Sequence, residues 1–151
     1  MNQDIQEAFS KEDGLGLGEL VRKGELKPIE LVDESIRRIE ELNPQLNAVI
    51  HKSYDAARAI AQGPLPDGPF KGVPFLFKEL ATMCEGQPTT NSCPYLKDFI
   101  SPLDLEIVTR VKNAGFILLG KSNAPEFGWA LTTEPEMYLS LIHISEPTRL
   151  R

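Results

Sequence analysis

The order strand, loop, helix, strand between residues 73 and 122 is the feature that most constrains the fold of this chain. Val73 to Phe77 is a continuous apolar run, which is typical of a buried strand. Ser101-Pro102-Leu103-Asp104 combines an N-cap serine, a proline and an acid, and so predicts a helix that Gly115 ends. The apolar run from Phe116 to Leu119 predicts a second strand. Two strands joined through a helix favour parallel pairing. We therefore predict an α/β fold, with an incomplete mixed sheet flanked by helices.

Helices dominate the first half of the sequence. Val32, Ile36 and Ile39 recur at helical spacing after Pro28, and the residue before Pro44 avoids the helical region. Residues 1–13 are polar and are expected to be frayed. The other elements predicted before residue 73 are a helix from Leu15 to Lys23 closed by Gly24, a helix from Pro28 to about Leu42, a strand from Leu46 to Ile50 and a helix from Ser53 to Gln62.

Composition and charge indicate a soluble globular protein. The 151 residues are 41% hydrophobic and 25% charged, with a formal net charge of −6, which is ordinary for such a protein. No basic stripe points to a nucleic-acid partner, and no run of about 18 apolar residues predicts a membrane span. The polar, acidic start lacks the pattern of a secretion signal. We expect a cytoplasmic protein, and the sequence indicates no cofactor.

Two cysteines, Cys84 and Cys93, lie at a spacing that fits no zinc pattern. Reduced thiols in a cytosolic protein are the favoured interpretation. A disulfide or a metal site is the alternative.

The first candidate for chemistry is Lys78, which leaves the apolar run immediately before Glu79. In α/β sheets, ligands bind at the carboxyl ends of the strands. A lysine that leaves a buried strand can lose part of its hydration, and burial lowers the pKa of a lysine amine so that it can act as a base. The alternative is a surface lysine paired with Glu79 or another acid.

The second candidate is Gly120-Lys121-Ser122, which also leaves a predicted strand. Together with Gly115 it matches the spacing G-x-x-x-x-G-K-S of a phosphate-binding loop. The four residues between the glycines are apolar and strand-like, and backbone amides paired in a sheet are not free to cradle an anion. Nucleotide binding is therefore the less favoured interpretation of this segment.

Several segments together resemble the amidase-signature family. The matching segments are residues 72–79 (GVPFLFKE) with the family's G-V-P-x-x-x-K-[DE], residues 115–127 with its next block, and residues 30–32 and 42–48 with its N-terminal helix and first strand. The similarity covers about residues 12–138 in order and with natural spacing, which is more specific than any one motif. Within the family, residues 74–78 and 132–135 are most similar to hydrolases of cyclic amide dimers of 6-aminohexanoate.

The resemblance implies a hydrolase of small carboxylic amides that forms an acyl-enzyme with a serine nucleophile, a second serine in a cis peptide and a lysine. Lys78 matches that lysine, and a neutral amine can take the serine proton through an intervening hydroxyl. The segment bearing both serines is expected after Tyr138. Ser122 belongs to a different block and Ser140 to the tail, so neither replaces them. We therefore expect the chain as written to be inactive.

Gly128 and Trp129 match positions that line the acyl pocket in the family, which makes them the candidate substrate-binding residues. For Trp129, packing in the core is the alternative, since large aromatic side chains are usually well buried. Asn123 and Glu126 are expected to shape the loop.

The last residues of the sequence lie outside the range that resembles the amidase-signature family. Residues 139–149 (LSLIHISEPTR) resemble, residue for residue, one reading frame of a transposase adapter used in sequencing libraries. We therefore interpret residues 1–138 as the N-terminal part of an amidase domain, and residues 139–151 as an adapter-derived tail that has no bearing on the fold.

Two further interpretations of the whole chain remain open. A glutaminase component of a tRNA-dependent amidotransferase would use the same residues together with a protein partner, although residues 132–135 disfavour it. A truncated product with no function of its own describes the literal chain.

Overall fold

The computed structural model describes residues 3–138, so the proposed tail at 139–151 lies outside the described residues. The elements of this part are α1 (Gln3–Lys11), α2 (Gly14–Lys23), α3 (Pro28–Leu46), β1 (Val49–Lys52), α4 (Tyr54–Ala61), β2 (Pro74–Lys78), α5 (Glu106–Asn113) and β3 (Ile117–Ser122), with short 3-10 helices at Pro94–Leu96 and Glu126–Gly128.

The three strands form one mixed sheet in the order β1-β3-β2. β2 and β3 run parallel and are connected through α5, whereas β1 runs antiparallel to β3. The predicted mixed α/β sheet and its parallel crossover are confirmed.

Both faces of the central strand, β3, are covered by helices. Successive side chains of a strand point to opposite faces, so neighbouring residues of β3 pack in different clusters. Ile117 and Leu119 are buried on one face with Val32 of α3 and Ala57 of α4. Leu118 is buried on the other face in a cluster with Phe77, Cys84 and Val108. β3 is therefore fixed from both sides, and so is the position at which it ends.

The first residues are more ordered than their polarity predicts. The expectation that residues 1–13 are frayed is wrong for Gln3–Lys11, which form α1, and residues 1–2 lie outside the described residues. Ile5 and Ala8, about one helical turn apart, are buried in a cluster that includes Leu17 and Leu31. α2 ends as predicted at Gly24, which has a left-handed φ of 74°.

The end of α3 also departs from prediction. The helix continues through Pro44 to Leu46 and closes at Asn47, whose amide donates to the carbonyl of Asn43 (2.7 Å). The side chain of Asn43 bonds both the amide and the carbonyl of Val49 (2.7 and 2.9 Å). These contacts close α3 and fix the connection to β1, which begins at Val49 and not at Leu46.

The predicted start of α5 is wrong as well. The helix begins at Glu106, and Ser101 is buried, with its hydroxyl 2.6 Å from that of Thr89. Leu103 and Ile107 are exposed, and Val108 is the buried residue of the helix. The serine therefore anchors the loop before the helix and does not cap it.

Candidate active site

Lys78 lies at the carboxyl edge of the parallel pair, where it is the last residue of β2 and pairs with Ser122 of β3. The amide of Glu79 donates to the carbonyl of Ser122 (2.9 Å). The Lys78 side chain is exposed, and within residues 5–138 its amine forms neither an ion pair nor a hydrogen bond. The expected partial desolvation is therefore wrong for this chain. Pairing with Glu79 is also wrong, because Glu79 lies on the opposite, buried face.

Glu79 pairs instead with Lys121, the residue before the end of β3. Both side chains are 0% exposed, and the two charged groups are 3.2 Å apart. The Lys121 amine donates to the carbonyls of Thr82 (2.8 Å) and Pro88 (2.5 Å) and to the hydroxyl of Thr89 (2.7 Å). Since a buried ammonium is tolerated only when it is paired and hydrogen-bonded, this set of oxygens explains how Lys121 is accommodated.

The Glu79 carboxylate is held from its other side by Thr90, whose amide (2.5 Å) and hydroxyl (2.9 Å) both donate to Oε1. His51 Nε2 lies 3.6 Å from the same oxygen, and the Tyr138 hydroxyl is 3.0 Å from that ring nitrogen. Burial by itself would raise the pKa of Glu79. His51, the Thr90 amide and the charge of Lys121 outweigh burial and lower this pKa to about 2, so the carboxylate stays ionised.

Sequence reasoning did not find this buried cluster. Lys121 was considered in a phosphate-binding loop and in a block of the resemblance, and was expected just after a strand that ends at Leu119. The strand at 116–119 and its preference over a phosphate-binding loop are confirmed, but β3 continues to Ser122 and includes Lys121. A signal was available in Lys121 itself, which comes two residues after the apolar run of residues 116–119. Glu79 directly follows β2, the parallel neighbour of β3. This position makes Glu79 the first acid to consider as the partner of Lys121.

Asn91 connects the segment after Lys78 with the candidate substrate-binding residues. Its side-chain oxygen accepts from the amide of Ala81 (2.6 Å), and its carbonyl accepts from the amide of Phe127 (3.0 Å). Gly128 follows with a φ of 72°, and a Cβ there would lie 2.7 Å from Leu80 Cδ2. The fold therefore brings the exit of β2 and the Gly128 turn together.

Trp129 is 90% exposed, so the interpretation that it packs in the core is wrong. It lines an open cavity of about 420 Å³ together with Pro125, Glu126, Ala130, Thr132, Glu134 and Pro135. Three of these residues, Thr132, Glu134 and Pro135, belong to the segment 132–135 that resembles the cyclic-dimer hydrolases. Asn123 is buried, and its amide donates to the carbonyl of Ala48 (2.8 Å), which fits the expected role in shaping the loop.

Both cysteines are free and buried, and burial raises the pKa of the Cys84 thiol. Among the described residues, no group of three or more His, Cys, Asp or Glu is placed to hold a metal ion. Within residues 3–138, every helix is too short or too polar to cross a membrane.

Comparison with known proteins identifies the family. The family model described as Amidase matches residues 30–149, and the chain therefore belongs to the amidase-signature family, whose members are hydrolases acting on C–N bonds. The matched range extends beyond residue 138, and the adapter origin of the tail stays a prediction.

Three similar proteins show how much of the family's domain the chain covers. It is 40% identical over 129 residues to the 6-aminohexanoate-cyclic-dimer hydrolase of Paenarthrobacter ureafaciens, covering 84% of this chain and 26% of the relative. It is 36% identical over 128 residues to a glutamyl-tRNA(Gln) amidotransferase subunit of Prochlorococcus marinus, covering 78% and 26%. A solved structure of a 6-aminohexanoate cyclic dimer hydrolase superposes with a TM-score of 0.80 at 39% identity, over 85% of this chain and 27% of that one. The chain spans about a quarter of the length of these relatives.

Proposed function

We propose that this chain is the N-terminal part of an amidase that hydrolyses carboxylic amides, with Lys78 as the base. One observation carries the proposal: Lys78 stands at the carboxyl edge of the parallel β2–β3 pair, in the segment that resembles the family's lysine motif. This edge is where α/β sheets bind their ligands.

In the proposed mechanism, a serine from the part of the domain that follows residue 138 attacks the amide carbonyl. The Lys78 amine takes the serine proton through the hydroxyl of a second serine in a cis peptide, and an acyl-enzyme forms. Backbone amides near the serines stabilise the oxyanion. In this mechanism the remainder of the domain covers the sheet edge at which the exposed Lys78 amine lies.

The proposed substrate is a small amide, with a cyclic amide dimer of 6-aminohexanoate as the first one to test. The supporting features are the similarity to a cyclic-dimer hydrolase and the cavity beside Trp129. We propose that Gly128 and Trp129 line the acyl side of the site, and that the protein acts in the cytoplasm.

A chimeric protein, called the joined protein below, tests this proposal. Residues 12–138 of this chain replace the aligned segment of the Paenarthrobacter ureafaciens cyclic-dimer hydrolase, and hydrolysis of the cyclic dimer is measured. Lys78→Ala is expected to lower kcat by about 10³-fold or more, as loss of a triad member does, whereas Ser122→Ala is the matched control and keeps activity. A folded Lys78→Ala protein with near-normal kcat would refute the role of Lys78.

For the chain as written, we propose that residues 1–138 lack the catalytic serines and that residues 139–151 derive from an adapter. The purified 151-residue chain is then expected to turn over no amide substrate. Reading the gene past codon 138 in the source DNA should reveal a glycine- and serine-rich loop. Source DNA that itself encodes residues 139–151 contradicts the adapter origin of the tail, and a frame that continues without such a loop contradicts the proposed serine mechanism.

A second candidate is the glutaminase component of a tRNA-dependent amidotransferase, which the 36% identity to the Prochlorococcus marinus protein supports. Joining residues 12–138 to the rest of that protein and assaying glutamine hydrolysis with its partner chains distinguishes the two. Activity there, without hydrolysis of the cyclic dimer in the first joined protein, would favour the glutaminase.

A further inference from the structure

The buried Glu79–Lys121 pair lies on the opposite face of the sheet from the exposed Lys78 side chain and has no place in the proposed reaction. A buried ion pair is a weak source of stability, because the cost of removing both charges from water offsets their attraction. Apolar side chains of similar size would hold β2 and β3 together about as well. Strand cohesion therefore does not explain why the pair is present.

The hydrogen bonds of Lys121 show what else it does. All three of its oxygen acceptors, on Thr82, Pro88 and Thr89, belong to the loop that follows β2. Glu79 fixes the same loop further along, through Thr90. One ammonium on β3 and one carboxylate beside Lys78 thus hold the loop from residue 79 to residue 90.

This loop is hydrogen-bonded to the backbone of Lys78. The amide of Leu80 donates to the carbonyl of Lys78 (2.8 Å) in a tight turn, and Ala81 has a left-handed φ of 51°. A non-glycine residue keeps such a conformation only when its surroundings impose it. Asn91 on one side and the Lys121 bond to Thr82 on the other supply that constraint.

We propose that Glu79 and Lys121 are positioning residues for Lys78: their buried ion pair and its hydrogen bonds to residues 82–90 fix the turn on which the Lys78 amine is presented to the nucleophile. This inference rests on the proposed role of Lys78 as the base.

The test variant is Lys121→Met with Glu79→Gln in the joined protein. It removes both charges, replaces each side chain by one of similar size and leaves an oxygen that can accept from Thr90. Its matched control is Lys52→Met with Glu40→Gln, which makes the same changes in an exposed ion pair (2.7 Å) between β1 and α3. We expect kcat of the test variant to fall by about 10- to 100-fold, with KM changed by less than about twofold, because displacement of a catalytic group affects the chemical step. The control should keep kcat.

Amide hydrogen exchange in the 151-residue chain supplies a second readout. In the test variant, exchange at Leu80 and Ala81 should become about tenfold faster or more, while exchange in the core of α3 is unchanged, as expected for a local opening. Glu79→Gln alone, which leaves the buried Lys121 ammonium without its carboxylate partner, should change both readouts in the same direction. Unchanged kcat in both folded variants, or unchanged exchange at Leu80 and Ala81, overturns the inference.

The two proposals fail in different ways. If Lys78→Ala keeps kcat, the proposed function fails whatever the buried pair does. If Lys78→Ala abolishes activity but the double variant retains kcat, Lys78 is the base and only its positioning by Lys121 and Glu79 is refuted.

Discussion

Lys78 and Lys121 lie one pairing position apart across the parallel strands, and the fold treats them in opposite ways. Lys121 faces Phe77 in the register, whereas Lys78 faces Ser122. The Lys121 amine is fully buried among oxygens, and the Lys78 side chain is exposed at the sheet edge. The buried lysine is fixed and fully paired, as a structural group must be. The exposed Lys78 amine has no hydrogen-bond or ion-pair partner among residues 5–138.

The largest expected effect is the difference in the free energy of unfolding between variants of these two lysines. Lys121→Met leaves Glu79 charged and buried without its partner, which should lower the free energy of unfolding by about 3–5 kcal/mol. Lys78→Met removes an exposed amine and should change it by less than about 0.5 kcal/mol. Urea unfolding of the 151-residue chain measures both, and equal effects would contradict the comparison.

The second effect is the dependence of the free energy of unfolding on pH, which tests the ionisation of Glu79. Its pKa is lowered from 4.5 to about 2 in the fold, so its ionisation stabilises the protein above pH 4.5, and that contribution is lost as the pH falls towards 2. The shift corresponds to roughly 3 kcal/mol. Glu34, beside Arg37 and Arg38, has a similarly lowered pKa, so the wild type loses stability from both acids.

The comparison with Glu79→Gln isolates one of them. The free energy of unfolding of this variant should fall less steeply than that of the wild type between pH 4.5 and 2, while Glu34→Gln reports the other acid. Parallel curves for the wild type and Glu79→Gln would show that the buried pair does not hold the Glu79 carboxylate ionised.

The smallest effect concerns the turn that approaches the exit of β2. Gly128→Ala is expected to cost about 1–2 kcal/mol because alanine is strained at positive φ, and it also places a Cβ 2.7 Å from Leu80. Gly24→Ala is the matched control, since Gly24 has nearly the same φ (74°) but nothing within 4 Å of the added Cβ. Equal costs, measured by thermal unfolding, would show that the Leu80 contact does not constrain this turn.

The sequence predicted the sheet well because apolar runs report burial directly. The run at residues 73–77 and the run at 116–119 became paired parallel strands, and Lys78 was correctly placed at a strand end. Helix limits were harder. Ser101-Pro102 has the composition of a helix start, but the Ser101 hydroxyl pairs with Thr89, twelve residues earlier, and a long-range contact of this kind leaves no local pattern.

The candidate site was predicted only in part for the same reason. Resemblance to a family identifies Lys78, but solvation of its amine depends on what covers the sheet edge, and this chain spans about a quarter of its relatives. The Glu79–Lys121 pair joins residues that are 42 positions apart. Its existence follows from strand register and from burial on both faces, and neither can be derived from local composition.

Chemical replacement of the amine at position 78 tests the central claim most directly. In the joined protein, Lys78→Cys should be inactive, and alkylation of that cysteine with 2-bromoethylamine, in which the thiolate displaces bromide, restores a side chain with a terminal amine. The two native cysteines, Cys84 and Cys93, are buried, and wild-type protein treated in the same way is the control. Recovery of cyclic-dimer hydrolysis in proportion to alkylation is the predicted result. Activity before alkylation, or none after complete alkylation of a folded protein, would contradict a base at position 78.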